Sequence, residues 1–298
     1  MKSRWRARGT APGAVVAAAL LLVALGCHGA PADADGDGVA DAVDACPGTP
    51  SGRPADARGC CPAARSLASA LAALGAADAR PMEIGEAWFL QRLAAERPDP
   101  VLRAVVADSE RRLAGHPSAR ILRPDAAPAP LPEDPGRGIA RLATYVLAPA
   151  GSPPERAAAF IDAFTATPAS GYVLTHQLLV LPWAESAGLA LPPAVAARRA
   201  GLLERIAAEQ AADTQFSDLF AERAAILLAF TAPDPREADR WIDVIAAAAP
   251  ADGRWVSSRS TIAYDGQTAS ANHPWPHTSG FVAAASGFYL QRRAAPLP

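Results

Sequence analysis

The densest run of chemistry-bearing residues is Asp33–Asp44, which reads DADGDGVADAVD. Counted from Asp33, aspartates fall at positions 1, 3, 5, 9 and 12 (Asp33, Asp35, Asp37, Asp41, Asp44), and Gly38 falls at position 6. Val39, at position 7, offers its backbone carbonyl. This is the ligand order of a calcium loop, in which a hard cation collects about six to eight oxygens. Short side chains at alternate positions turn inward as the chain wraps the ion, and glycine permits the sharp bend that a side chain would obstruct. Asp44 stands where an EF-hand has Glu, and no helical pattern precedes the loop, so it is not an ordinary EF-hand.

A second group of chemically able residues is scattered. His176 sits in the apolar run Tyr172–Gln177, and His273 and His277 flank Pro274-Trp275-Pro276, with Asp265 and Glu185 as possible carboxylate companions. Three imidazoles and a carboxylate could hold zinc, but the two prolines prevent His273 and His277 from forming an i, i+4 helical pair. His176 reads as a hydrogen-bonded core residue, and the other two as structural or exposed. The alternative is a pocket built from His176, Asp265, His273 and His277. Glu204, Glu209, Asp213, Asp218 and Glu222 read as a solvated helix face, or as partners of Arg205 and Arg223. Trp183, Trp241, Trp255, Trp275 and Tyr264 read as fillers of a core that Ala leaves shallow. The chain has no Gly-rich phosphate loop, G-x-S-x-G elbow or H-E-x-x-H pair, and Ser66, Ser69 and Ser109 have no base near them in sequence.

The N-terminus carries an address. MKSRWRAR is basic, and Ala14–Leu25 is an apolar run of 12 residues, too short for a bilayer span of ~20 and suited to a signal h-region. The run ends in Ala24-Leu25-Gly26-Cys27, which resembles the lipobox of bacterial lipoproteins. The resemblance implies a signal peptide over residues 1–26 and acylation of Cys27, with palmitate-type chains. His28, rather than Asp, implies an outer-membrane destination in the cell envelope. The first 26 residues hold four basic groups and no acidic ones, leaving 24 basic against 30 acidic groups beyond them. That balance argues against a nucleic-acid partner. Export implies an oxidising compartment. With Cys27 acylated, Cys46, Cys60 and Cys61 remain, giving one pair and one spare thiol.

After the calcium loop comes Cys46–Pro62, CPGTPSGRPADARGCCP. Asp spacing, Gly38, Cys46-Pro47, Thr49-Pro50, Gly52, Asp56 and Gly59-Cys60 together resemble a thrombospondin type 3 repeat of the kind found in bacterial envelope proteins, including OmpA-type linkers. The resemblance covers about 30 residues. It implies calcium held by Asp33, Asp35, Asp37, Val39, Asp41 and Asp44, a Cys46–Cys60 disulfide, and a role as a spacer or in cell adhesion. Cys61, where the family continues with Pro, leaves a competing partner for Cys46.

From Ala63 onward the periodicity is helical. Leu102, Val105, Val106 and Leu113 share one face, and Phe216, Leu219, Phe220, Ile226, Leu227 and Phe230 another. Ala is the strongest helix former, and Asp99-Pro100, Ser152-Pro153-Pro154-Glu155 and Asp234-Pro235-Arg236-Glu237 are start signals. Helices are predicted near 64–75, 82–96, 100–114, 137–147, 153–165, 169–187, 193–212, 215–230, 235–249 and 277–292, with no convincing strand. The stretch 252–276 is a long polar and aromatic interruption of the kind that often carries function. With His277-Thr278 opening the next helix, it weakly resembles loops of (α/α) toroid proteins.

The sequence therefore predicts a mainly α fold, a helical-hairpin bundle or partial α/α toroid, preceded by a short irregular calcium-binding repeat stapled by a disulfide. Its segments are 1–26, 27–62 and 63–298, with a Pro-rich sub-boundary at 124–136. The leading expectation is a non-catalytic, calcium-binding, lipid-anchored envelope protein whose helical body binds a partner protein or cell-wall polysaccharide. The alternative is a carbohydrate-active enzyme of α/α toroid type, with its site around His176 and the 252–277 loop.

Overall fold

Aspartate, serine and proline set the helix starts. The computed structural model describes residues 32–46, 49, 52–76, 82–115, 119–126, 154–264, 267–273 and 275–294. The expected signal segment, Cys27, the expected helix at 137–147, most of the Pro-rich boundary and Asp265 lie outside these residues. The helical body opens with α1 (Pro62–Leu74), α2 (Ile84–Glu96), α3 (Pro100–Arg112) and the single turn α4 (Ala119–Leu122). It continues with α5 (Pro154–Ala166), α6 (Gly171–Ser186), α7 (Pro193–Ala196), α8 (Arg198–Ala212), α9 (Asp218–Phe230) and α10 (Pro235–Ala247). The hairpin β1 (Ser257–Tyr264) and β2 (Gln267–His273) follows, and then α11 (Trp275–Ala294). At α3, the Asp99 carboxylate accepts hydrogen bonds from the Val101 and Leu102 amides at 2.8 and 3.0 Å, with Pro100 in the first turn. Ser217 caps α9 through the Phe220 amide at 3.0 Å, and Asp234 caps α10 through the Arg236 amide at 2.8 Å. Such caps satisfy amides that a helix leaves without intrahelical partners.

The last helix occupies the centre. Residues Phe281–Leu290 of α11 are buried on all sides, and α1, α2, α9 and α10 pack around it. A helix apolar around its whole circumference belongs inside a domain. Phe89 of α2 anchors the aromatic core, with Trp88, Phe281, Phe288 and Phe230 rings at 5.1–6.3 Å from its own. Trp183, Trp241 and Trp255 are buried, as core filling requires. Two glycines of α11 let α2 approach closely. A Cβ on Gly280 would stand 2.5 Å from Glu86 Cβ, and one on Gly287 would stand 2.1 Å from Leu93 Cδ2.

The polar stretch 252–276 carries the antiparallel hairpin, with Ser260 opposite Ala271 and Tyr264 opposite Gln267. Ahead of it, buried Trp255 donates its amide to Ser279 Oγ at 3.0 Å, which joins the stretch to the start of α11. Among the described residues no helix is long and apolar enough to cross a membrane.

The N-terminal segment docks on this body. Cys46 and Cys60 are disulfide-bonded, and Cys61 is a buried free thiol within the core at the head of α1. Arg53 reaches α10, with its guanidinium 2.5 Å from Asp243 and 3.7 Å from Asp239, and lies over the Tyr289 ring of α11. Tyr289 in turn donates to Asp239 at 2.7 Å.

Candidate functional sites

The first site is the Asp-rich loop. Gly36 and Gly38 take φ values of +72° and +91°, a region open to glycine and costly for most side chains. Their amides donate to the two oxygens of Asp33, at 2.9 and 3.0 Å. Carboxylate oxygens of Asp33, Asp35 and Asp37 then lie within 4.8 Å of one another. The Thr49 amide holds the Asp35 carboxylate at 2.8 Å, and the Thr49 hydroxyl donates to the Gly59 carbonyl at 2.5 Å. Thr49 and Gly59 thus help to position the Asp-rich loop. Asp37 Oδ2 is buried without a hydrogen-bond partner. Asp44 shares this side of the loop, since a Cβ on Gly59 would meet both Asp44 Oδ1 and Asp37 Oδ2. Asp41 instead accepts from the Ala34 amide at 2.8 Å, and Asp44 Oδ1 from the Cys46 amide at 2.7 Å. Three converging carboxylates with one orphaned oxygen fit an oxygen-seeking dication.

The second site is a surprise of the tertiary structure. The first turns of α2, α6, α9 and α11 meet in the interior. They bring together Glu86, Tyr172, Asp218 and His277, and Glu222 stands one turn further along α9. Glu86, Asp218 and Glu222 are 0% exposed and His277 is 5% exposed. Asp218 is firmly held. His277 Nδ1 lies 2.8 Å from its Oδ1, Thr278 Oγ1 donates to the same oxygen at 2.6 Å, and Tyr172 donates to Oδ2 at 2.7 Å. Helix N-terminal turns favour carboxylates through their exposed amides, and Glu86 accepts the Glu83 amide at 3.1 Å in that position. Its other oxygen, Oε2, and both oxygens of Glu222 have no hydrogen-bond partner. The Thr175 hydroxyl near Glu222 is committed to the Tyr172 carbonyl at 2.9 Å.

Burial and charge set these groups apart. Burial pushes the Asp218 carboxyl up, but the His277 charge and the bonds from His277, Thr278 and Tyr172 outweigh it and hold it at about 2. Burial pushes Glu222 up to about 8; the His277 charge opposes this, while Asp218 and Glu86 add to it. Glu86 rises to about 7, again through burial, against the His277 charge. Burial alone would depress His277, but the Asp218 and Glu86 charges keep it well above its ordinary value. The cluster is an Asp218–His277 ion pair beside two carboxyls that retain protons near neutrality.

These positions correct the sequence expectation for Asp218 and Glu222, which do not lie on a solvated face. Phe220, Ala221 and Ala224–Leu228 of α9 are all buried, so the helix has no wet side there. Glu209 and Asp213 do pair with Arg223, at 3.1 and 2.5 Å. His277 is neither exposed nor a loop residue; Trp275-Pro276 begins the helix, and His277 faces Asp218. His176 is the core residue expected, its Nδ1 2.6 Å from the Tyr172 carbonyl. The structure links His176 to His277 through Tyr172 and Asp218. His273 ends β2. Sequence reasoning missed Glu86 altogether. Its only local signal is its position three residues after Glu83, at a helix start.

Comparison of the chain with protein-family models, with curated proteins and with solved structures finds no match. The functional reading therefore rests on the chain's own residues.

Proposed function

We propose that this chain is a non-catalytic calcium-binding protein of the cell envelope, lipid-anchored through Cys27: calcium at the Asp33–Asp44 loop stiffens the junction between anchor and helical body, and the body binds a partner protein or cell-wall polymer.

 The single observation that supports this most directly is the convergence of the Asp33, Asp35 and Asp37 carboxylates within 4.8 Å, with the buried Asp37 Oδ2 lacking a partner. The Cys46–Cys60 bond closes the N-terminal segment on itself, and the Arg53 clamp onto Asp239 and Asp243 ties that segment to the body; both support a stiff junction. Asp33, Asp35 and Asp37 would supply side-chain oxygens, with Val39, Asp41 and Asp44 completing the set that the repeat resemblance implies. The lipobox-like Ala24–Cys27 and the net acidic charge beyond it support an envelope address.

The test is calorimetry on the full chain in detergent. Calcium should bind at one site with a Kd of ~10⁻⁴–10⁻³ M, the range of extracellular modules. Asp37→Asn should weaken binding at least tenfold. Absence of binding heat at millimolar calcium, or equal affinity in the variant, would remove the assignment. The carbohydrate-enzyme alternative gains little from the buried cluster. A glycosidase needs two carboxylates flanking a sugar in an open cleft, whereas Asp218 and Glu222 crowd one imidazole in the interior.

A further inference from the structure

Asp218, Glu222 and His277 each offer one ligand atom, and those atoms all lie within 4.8 Å of one another. We propose that these three residues form a second metal site, distinct from the calcium loop and selective for a first-row transition dication of the zinc class. Geometry supplies the first argument. A zinc ion holds nitrogen and oxygen ligands at roughly 2.0–2.2 Å, so side-chain shifts of about an ångström bring all three donors into contact with one ion.

Unsatisfied polar atoms supply the second. Both Glu222 oxygens and Glu86 Oε2 are buried without hydrogen-bond partners, and such groups are costly to leave unmade. A dication between Asp218, Glu222 and His277 answers the Glu222 deficit, and Glu86 stands beside His277 as a further carboxylate. The cluster is not merely a patch of acids on a surface. It includes an imidazole, it lies in the core, and Asp218 is already fixed by Tyr172 and Thr278.

Donor chemistry supplies the selectivity. Imidazole with carboxylates suits zinc, iron or manganese, whereas calcium takes an all-oxygen shell. The two sites therefore divide two classes of cation: oxygen donors near the anchor for calcium, mixed nitrogen and oxygen donors in the core for zinc. Binding exchanges protons for the ion: the His277 ring, a cation beside Asp218 in the metal-free chain, gives up one proton to become a neutral ligand, and Glu222 gives up any it holds, both to solvent. The metal would join α9 to α11 at the point where α2 and α6 also begin, which makes it a staple for the body.

The experiment uses the full chain, stripped with a chelator and then titrated with zinc, with bound metal counted by mass spectrometry. Wild type and Asp35→Asn should each retain about one zinc per chain after desalting and gain thermal stability from it. Glu222→Gln, which preserves shape, should retain less than a tenth of that and gain none. Cobalt uptake by the wild type should give visible d–d absorption that zinc abolishes, a readout that needs no variant. Failure of wild type to retain zinc and to show the cobalt bands would overturn the proposal, as would equal zinc retention in Glu222→Gln. Loss of zinc in Asp35→Asn alone would place the ion at the loop and likewise overturn it.

Discussion

Glu222→Gln in the metal-stripped chain removes a titratable group while keeping its shape. Glu222 is fully buried, and its carboxyl is pushed from 4.5 up to about 8, chiefly by burial. The folded state therefore holds this proton more tightly than the unfolded chain does. The sign follows from linkage: this group costs no stability below about pH 4.5, and stability falls as pH rises from there toward 8. At about 1.4 kcal/mol per tenfold, holding the proton at pH 7 costs roughly 3 kcal/mol. Gln never ionises, so the variant should be more stable than wild type by about 3 kcal/mol at pH 7 and equal to it at pH 4. For a chain of this size that corresponds to a rise in Tm of roughly 6–12 °C. The assay is thermal unfolding followed by circular dichroism, with chelator present, at both pH values. A lower Tm for the variant at pH 7 would show that the carboxylate makes favourable contacts, and would refute the reasoning. With zinc bound, the order of the two proteins should reverse.

Asp218→Asn should act in the opposite direction. It leaves the His277 cation buried without its counter-charge, and breaking a buried pair costs about 3–5 kcal/mol. Because Asp218 is held at about 2, its contribution is present above its ordinary 3.8 and is lost as pH falls through about 2; denaturant melts at pH 7 and pH 2 should show the variant's deficit only at the higher pH. Gly280→Ala should destabilise the body by about 1–3 kcal/mol, since the added Cβ would stand 2.5 Å from Glu86 Cβ. A Tm equal to wild type would mean that α2 and α11 can separate at no cost.

The helices of the body were legible in the sequence because their determinants are local. Asp99-Pro100 and Asp234-Pro235 mark the starts of α3 and α10, and the apolar positions of α3 repeat at helical spacing. The four-residue α4 lacks a full turn of periodicity beyond itself, and it escaped notice. The Cys46–Cys60 pairing was implied by the repeat resemblance, while composition alone left Cys61 as a rival; in the fold Cys46 pairs with Cys60, and Cys61 is a free thiol turned into the core at the head of α1.

The sequence by itself determined the Asp-rich loop, since every residue of that site lies within one stretch, and short spacing fixes which side chains can meet. It also determined the helix starts and the mainly α class, through propensity, capping and periodicity. The buried cluster was a matter for tertiary structure alone. Glu86, Asp218 and His277 are far apart in the chain, and each looks ordinary in its own segment: a first-turn acid, an acid after a serine cap, an imidazole after two prolines. Whether such a carboxylate meets water or an imidazole depends on which helices surround it. That was decided when α2 and α9 closed around α11, with α6 packed against α9.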